Sequence, residues 1–140
     1  MNEKDIAGAW LVLSVVNEVD GKKVDLFGPH PQGQFIFTAD GHFSINIVRS
    51  GRTKFASNNS KAGSAEENQE AMAGTLSLFG SYSINSDGWQ TLNIVGSSFP
   101  NWDGAEQKRR VRLNGDEMTY ENPTAPTGSG HVVLVLRRAK

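Results

Sequence analysis

Apolar and polar residues alternate along most of the chain, in short runs that end at turn residues. Alternation with period two is typical of strands that have one buried face and one solvated face. Several neighbouring runs are joined by turns containing Asp-Gly or Asn-Gly, the strongest short hairpin signal. The pattern predicts eight strands, at 10–16, 34–38, 42–48, 80–84, 89–95, 106–113, 117–121 and 132–136.

One segment has helical periodicity and lies between the third and fourth predicted strands. Ser64 and Glu67 fit a capping box, in which each side chain bonds the backbone amide of the other. Apolar residues from Met72 to Phe79 then recur at four- and three-residue spacing on one helical face. This pattern predicts a helix over residues 65–78.

The connections between the strands alternate in length. The second, fourth and sixth are short turns, whereas the others are long and cover 20–33, 49–78, 97–105 and 122–130. Alternate connections of an up-and-down sheet lie at the same end, so every long loop falls at one end. We therefore predict an all-β fold, an eight-stranded up-and-down antiparallel β-barrel with a closed base and an open mouth. A β-sandwich, the competing architecture, predicts no such asymmetry.

Composition narrows the classes of partner and of chemistry. A chain of 140 residues makes a single domain over 1–140, since domains rarely split below about 250 residues. Its 14 basic and 15 acidic residues give a net charge of −1, so we expect neither nucleic acid nor a membrane as partner. Because cysteine is absent, thiol nucleophiles, disulfides and thiolate metal sites are excluded. The charged start, without an apolar stretch, predicts no secretory signal and a cytoplasmic location.

The predicted sixth strand directs one cation into the barrel. Charged side chains alternate from Glu106 to Arg112 on one face, so Arg109 belongs to the inward face. An unpaired buried cation is costly, which calls for an internal partner or for a carbonyl or carboxylate of a ligand. A hydrogen bond from Arg109 to Gln107, to a backbone carbonyl or to a tyrosine hydroxyl would satisfy the buried cation equally well.

The hairpin around Asp40-Gly41 supplies a second group of candidates. We expect this turn to pair Phe37 with Ser44 and Phe35 with Asn46 on one face. A mixed aromatic and amide face is typical of a ligand-binding wall, so this face is assigned to the interior. The opposite assignment, in which this face lies outside and the other face lies inside, stays open.

The loop after the fifth strand is the best candidate for the lining of the mouth. Phe99 and Trp102 offer large apolar surfaces, and Asn101 can both donate and accept a hydrogen bond. Alternatively, the loop is a rigid corner in which Trp102 plugs the barrel. Tyr82 is expected to face inward near the rim. The predicted ligand-binding residues are Phe35, Phe37, Ser44, Asn46, Tyr82, Asn93, Phe99, Asn101, Trp102 and Arg109.

Motifs for several kinds of catalysis are missing from the chain. The three histidines have no metal-ligand spacing, and nearly all carboxylates fall in turns, on the helix or on outer faces. There is no Gly-rich phosphate loop after a strand and no G-x-S-x-G nucleophile elbow. We therefore expect no metal and no cofactor.

Short motifs occur in a characteristic order along nearly the whole chain. They are Gly8-Ala9-Trp10, Phe27-Gly28-Pro29, Thr38-Ala39-Asp40-Gly41, Arg52 with Phe55-Ala56, Phe79-Gly80-Ser81-Tyr82, Gly96-Ser97-Ser98-Phe99-Pro100-Asn101-Trp102 and Arg109-Arg110. Gly8-Ala9-Trp10 resembles the GxW signature of lipocalins. The whole set resembles the bacterial and fungal lipocalin-like domain family, also described as AttH-like or calycin-like. Its most specific element is Phe-Pro-Asn-Trp.

The resemblance implies an eight-stranded barrel with a helix that caps or flanks one end. It also implies that Arg137 or Arg138, from the last strand, lies over Trp10 at the closed base, in a cation–π contact of ~0.5–2 kcal/mol. Family members often carry His and Glu before the glycine that precedes Ser-x-Phe-Pro-Asn-Trp. This chain has Asn93-Ile94-Val95 there and lacks those ionisable groups.

Three functions remain open at this point. The first is binding of a small, mostly apolar or aromatic molecule whose carbonyl or carboxylate is directed at Arg109. The second, which the resemblance suggests, is a cofactor-free isomerase or cyclase of a specialised metabolite, with Arg109, Tyr82 and Asn101 stabilising developing charge. The third is a filled barrel that serves as an interaction scaffold. The oligomeric state is open, with a homodimer as one option.

Overall fold

A closed antiparallel sheet dominates the computed structural model, which describes residues 1–125 and 127–140. Its strands are β1 (Gly8–Val19), β2 (Lys22–Asp25), β3 (Gln32–Phe37), β4 (His42–Val48), β5 (Thr75–Ile84), β6 (Trp89–Ser97), β7 (Glu106–Asn114), β8 (Glu117–Asn122) and β9 (His131–Arg138). The helices are α1 (Glu3–Ile6), α2 (Ala65–Ala73) and a 3₁₀-helix at Pro100–Trp102.

The barrel closes because β9 pairs back onto β1. Going round it, the order is β1, β3, β4, β5, β6, β7, β8 and β9, and every pairing is antiparallel. Among the described residues, the short β2 pairs only with the last residues of β1, Val16 to Val19. This arrangement confirms the predicted all-β class and the eight-stranded up-and-down barrel.

The predicted helix is corrected in both position and length. It follows the fourth strand rather than the third, because the sequence pattern misses β2, whose four residues are all exposed and show no alternation. The capping box forms as predicted, with Ser64 Oγ accepting from the Glu67 amide at 3.1 Å. The helix ends at Ala73 instead of residue 78, because Gly74 caps it and Thr75 already pairs with Val48 as a strand residue.

One end of the barrel is sealed. The three short turns lie at this end, and α1 places the fully buried Ile6 against it. The indole of Trp10 donates to the Ile6 carbonyl at 2.9 Å, and the guanidinium of Arg138 lies 4.2 Å from the Trp10 ring centroid. The predicted arginine–tryptophan contact is thereby confirmed, with Arg138 rather than Arg137 as the partner.

Aromatic side chains fill the interior next to this base. Phe35 and Tyr120 meet edge to face at 5.1 Å between centroids, and Phe37 and Tyr82 do so at 5.3 Å. All four are at most 5 % exposed. Space inside the barrel is therefore confined to the end opposite the base.

Candidate functional site

A narrow pocket occupies the open half of the barrel. Its cavity volume is only about 40 Å³, so a ligand larger than a few water molecules requires the lining side chains to move. Most of its wall is apolar, and four of its residues, Trp102, Arg109, Tyr120 and Asn122, carry polar groups. The lining residues are Val15, Leu26, Phe27, Phe35, Ile45, Ile47, Leu76, Leu78, Trp102, Arg109, Tyr120, Asn122, Val132 and Leu134. A mostly apolar lining with a few polar groups is typical of small-molecule binding sites.

The cation of this pocket is Arg109, on the inner face of β7. Only 4 % of the residue is exposed, so its predicted inward orientation is confirmed. Its guanidinium donates to Gln107 Oε1 at 2.7 Å and to the Lys108 carbonyl at 3.0 Å, and lies 5.6 Å from the Trp102 ring centroid. The internal ties that the sequence left open therefore exist, although Arg109 also faces the pocket.

The partners of Arg109 leave its charge uncompensated. Within residues 1–125 and 127–140, no carboxylate lies within ion-pair distance of its guanidinium. Both acceptors are neutral, and the guanidinium has more N–H donors than these two oxygens use. Burial lowers the pKa of Arg109 from its usual value, but an arginine remains a cation at neutral pH.

A second polar pair borders the same region. The Tyr120 hydroxyl donates to Gln90 Oε1, and Gln90 lies opposite Arg109 in the β6–β7 register. Burial raises the pKa of Tyr120, so its hydroxyl stays protonated at neutral pH. In the described part of the chain, Gln90 Nε2 has no hydrogen-bond partner.

The sequence reasoning missed Tyr120, Gln90 and Asn122. The alternation of Met118 and Tyr120 along the strand 117–121 carried a usable signal, because large apolar residues two positions apart share a face. For Gln90 and Asn122 the signal was weaker, since an amide side chain in a strand is more often solvated than buried.

The predicted site residues divide into those at the pocket and those elsewhere. Phe35, Trp102 and Arg109 line the pocket together. Phe37 is buried deeper, beside Phe35, and Phe99 is half-buried at the outer edge, 5.7 Å from Trp102 between ring centroids. Whether each of these residues contacts a ligand stays a prediction.

Ser44 and Asn46 lie on the outer face, which overturns their predicted inward orientation. The hairpin pairs Phe37 with Phe43 and Gln34 with Asn46, one position away from the predicted register. A shift of one residue moves every side chain of a strand to the opposite face. Here the shift buries Phe43, Ile45 and Ile47 instead.

Tyr82 faces inward as predicted, but it lies at the base rather than near the rim. Because β5 begins at Thr75 and not at residue 80, Tyr82 is seven positions along the strand. Its hydroxyl donates to the Thr38 carbonyl at 2.7 Å, within the closed end. Burial, with smaller contributions from Glu3 and Asp40, raises the pKa of Tyr82 to about 12.

Asn93 and Asn101 are both exposed, so neither reaches the pocket. Asn93 lies between buried Leu92 and Ile94 on β6, and strand alternation therefore turns it outward. Asn101 is in the short 3₁₀-helix, which directs Trp102 inward and leaves Asn101 in solvent. The two asparagines drop out of the candidate site.

The described residues bring no three His, Asp or Glu side chains together in a group that could hold a metal ion. Within the same residues, no helix has both the length and the apolar character needed to cross a membrane.

The fold and the pocket define a class: a small antiparallel barrel, sealed at one end, with a mostly apolar cavity at the other. The family model described as the lipocalin-like domain matches residues 7–139, and the chain belongs to this family. No curated protein sequence matches the chain. At a general level, a lipocalin-like barrel indicates binding of small molecules.

Proposed function

We propose that the barrel binds a small, mostly apolar molecule and holds its carbonyl or carboxylate with Arg109. The observation that carries this proposal is a buried guanidinium on the wall of an apolar pocket, with neutral partners only. Gln107 and the Lys108 carbonyl satisfy part of this guanidinium with neutral oxygens, which leaves the buried charge without a counter-ion. A ligand carboxylate or carbonyl inside the pocket would supply a further acceptor, and a carboxylate would also supply the counter-charge.

The surroundings of Arg109 favour a ligand with a flat apolar body, for which the lining side chains must move because the free cavity is about 40 Å³. Trp102 already lies beside the guanidinium, and Phe35 and Tyr120 form the pocket wall toward the base. Their rings offer an apolar ligand body flat contacts next to the charge. Because Arg109 is already desolvated, a charge-assisted hydrogen bond to it would contribute about 1.5–3 kcal/mol.

The same geometry favours binding over catalysis. Of the three groups suggested for an isomerase or cyclase, only Arg109 lines the pocket. The Tyr82 hydroxyl is engaged at the base, and Asn101 is exposed. Tyr120 and Asn122 also line the pocket, but the Tyr120 hydroxyl donates to Gln90 and Asn122 Oδ1 accepts from the Thr124 amide, so few free groups accompany Arg109 to stabilise developing charge.

The proposal is tested by native mass spectrometry of the purified protein, which identifies any molecule that copurifies. Affinity for that molecule is then measured by calorimetry in the wild type, in Arg109→Met and in Arg110→Met. Arg110 is the matched control, since it lies on the same strand and stacks on Trp89 outside the barrel. We expect Arg109→Met to weaken binding about 10- to 100-fold and Arg110→Met to leave it unchanged.

Phenylbutyrate and butylbenzene serve as probes if nothing copurifies. They share an apolar body and differ in the carboxylate, so the wild type is expected to prefer phenylbutyrate and Arg109→Met to lose that preference. Equal affinities of a folded Arg109→Met variant and the wild type for phenylbutyrate would overturn the anchoring role.

A further inference from the structure

A second cleft lies outside the barrel, between the loop that follows β4 and the helix α2. It is wide and open to solvent, with a volume of about 720 Å³. Its lining includes three cations, Arg49, Arg52 and Lys54, and no carboxylate. Hydroxyl and amide side chains, among them Thr53 and Asn58, complete the wall. None of its lining residues is shared with the barrel pocket.

The nearby carboxylates bond backbone amides rather than these cations. Glu67 accepts hydrogen bonds from the backbone amides of Ser64 and Ala56, at 2.9 and 2.8 Å. Glu70 accepts from the backbone amide of Thr53 at 3.2 Å. These bonds hold the loop against the helix. Within the described residues, Arg49, Arg52 and Lys54 form no ion pair.

The two arginines are held in place by neutral groups. Arg49 donates to the Leu26 carbonyl at 3.0 Å, and Arg52 donates to Thr75 Oγ1 at 2.8 Å. Both pack against Gly74, where an added Cβ would lie 3.0 Å from Arg52 Cδ and 3.3 Å from Arg49 Cβ. Both arginines are exposed, and each guanidinium keeps N–H donors that its single bond does not use.

From this arrangement we propose that the cleft is a separate binding site for a small phosphate-bearing molecule. Arginine offers phosphate a planar pair of donors, lysine adds a compact charge, and hydroxyl and amide groups bind the remaining oxygens. Glu67 and Glu70 lie behind the loop rather than in the lining, so the three cations are nearer to a bound anion than these carboxylates are. The site needs no ligand in the barrel and does not depend on the function proposed for Arg109.

The test uses the full chain in phosphate-free buffer, titrated with inorganic phosphate and with pyrophosphate at constant ionic strength. Backbone amide NMR shifts are the readout. We expect a saturable response confined to the loop, to Gly74 and to the start of β5. Arg52→Gln and Lys54→Gln should each weaken it about tenfold, the usual effect of removing one charge-assisted bond.

Two controls separate a site from general charge attraction and from the barrel. Arg137→Gln removes an exposed arginine at the end of β9 and should leave phosphate affinity unchanged, as should Arg109→Met. A non-saturable response, an equal loss in Arg137→Gln, or shifts centred on Arg109 would overturn the proposal. Equal affinity for succinate would overturn the assignment to phosphate. Lys54 donates no hydrogen bond to another described residue, so its variant is expected to fold even if Arg52→Gln does not.

Discussion

Arg138 covers the indole ring of Trp10, with its guanidinium carbon 4.2 Å from the ring centroid. The same guanidinium donates to the Ala7 carbonyl at 3.0 Å and to the Asp5 carbonyl at 3.2 Å. Trp10 in turn donates to the Ile6 carbonyl. The pair therefore joins the last strand of the barrel to the first strand and to the short helix before it.

Replacing Arg138 by alanine is expected to destabilise the fold by about 1–3 kcal/mol. The loss combines a cation–π contact with two hydrogen bonds to backbone carbonyls. Urea unfolding measures this change in free energy. Arg137→Ala, at the exposed neighbouring position, is the matched control and should stay within about 0.5 kcal/mol of the wild type. Equal losses in both variants would contradict a specific role for the stacked pair.

The two tyrosines of the chain predict how stability changes at high pH. In the folded protein the pKa of Tyr82 is raised from 10.0 to about 12, mainly by burial, so folding favours the protonated hydroxyl. This stabilisation is fully present below pH 10 and is lost as the pH rises from 10.0 toward about 12. Unfolding free energy, measured along this range, should fall less steeply in Tyr82→Phe than in the wild type.

Tyrosinate absorbance provides an independent check on this pH dependence. Because burial raises the pKa of Tyr120 as well, neither tyrosine should ionise in its ordinary range while the protein is folded. In Tyr82→Phe the remaining signal belongs to Tyr120 and should appear only as the protein unfolds. If Tyr120 of this variant ionised at the pH usual for an exposed tyrosine while the circular dichroism stayed unchanged, the buried position of Tyr120 would be wrong.

The register of the β3–β4 hairpin predicts opposite outcomes for two neighbouring residues. Ile45 is 3 % exposed inside the barrel, whereas Ser44 lies on the outer face. Ile45→Ala is expected to cost about 2–5 kcal/mol through lost burial and the cavity left behind. Ser44→Ala should change the unfolding free energy by less than about 0.5 kcal/mol. A larger destabilisation by Ser44→Ala than by Ile45→Ala, measured by thermal or urea unfolding, would support the register that pairs Phe37 with Ser44.

Tryptophan fluorescence should report on occupancy of the pocket. Among the three tryptophans, Trp10 is buried at the base and Trp89 is 41 % exposed on the outer surface, so only Trp102 lines the pocket. A ligand that binds beside Arg109 should change the emission of the wild type and of Trp89→Phe. In Trp102→Phe the change should disappear, while calorimetry still detects binding. A full response in Trp102→Phe would place the ligand elsewhere.

The barrel itself was predictable because two independent patterns agreed. Alternation located the eight strands, and the distribution of short and long connections indicated one closed end. What the pattern missed was β2, since all four of its side chains are exposed and leave no hydrophobic trace. The helix boundary also failed, because the apolar spacing of Leu76 and Phe79 suits a helix, although these residues pair with β4 as a strand.

The site was predictable only where a single strand determined it. The charged outer face of β7 fixed the direction of Arg109 without reference to any neighbour. Ser44 and Asn46 depended on the register of a turn, and a difference of one residue reversed both. The neighbours of Arg109, such as Gln90, come from cross-strand pairing, which the sequence of one strand does not contain.

Ile6 lies beneath Trp10 and closes the base of the barrel, so the pocket opens only at the opposite end of the described structure. Under the proposed function, a ligand enters and leaves by one path, past Leu26 and Phe27, which line both the pocket and the outer groove beside Phe99. Its residence time then depends on the contacts of these two side chains as well as on its affinity for the interior. Substitutions of Leu26 or Phe27 can therefore change the rates of ligand association and dissociation while the equilibrium affinity stays the same.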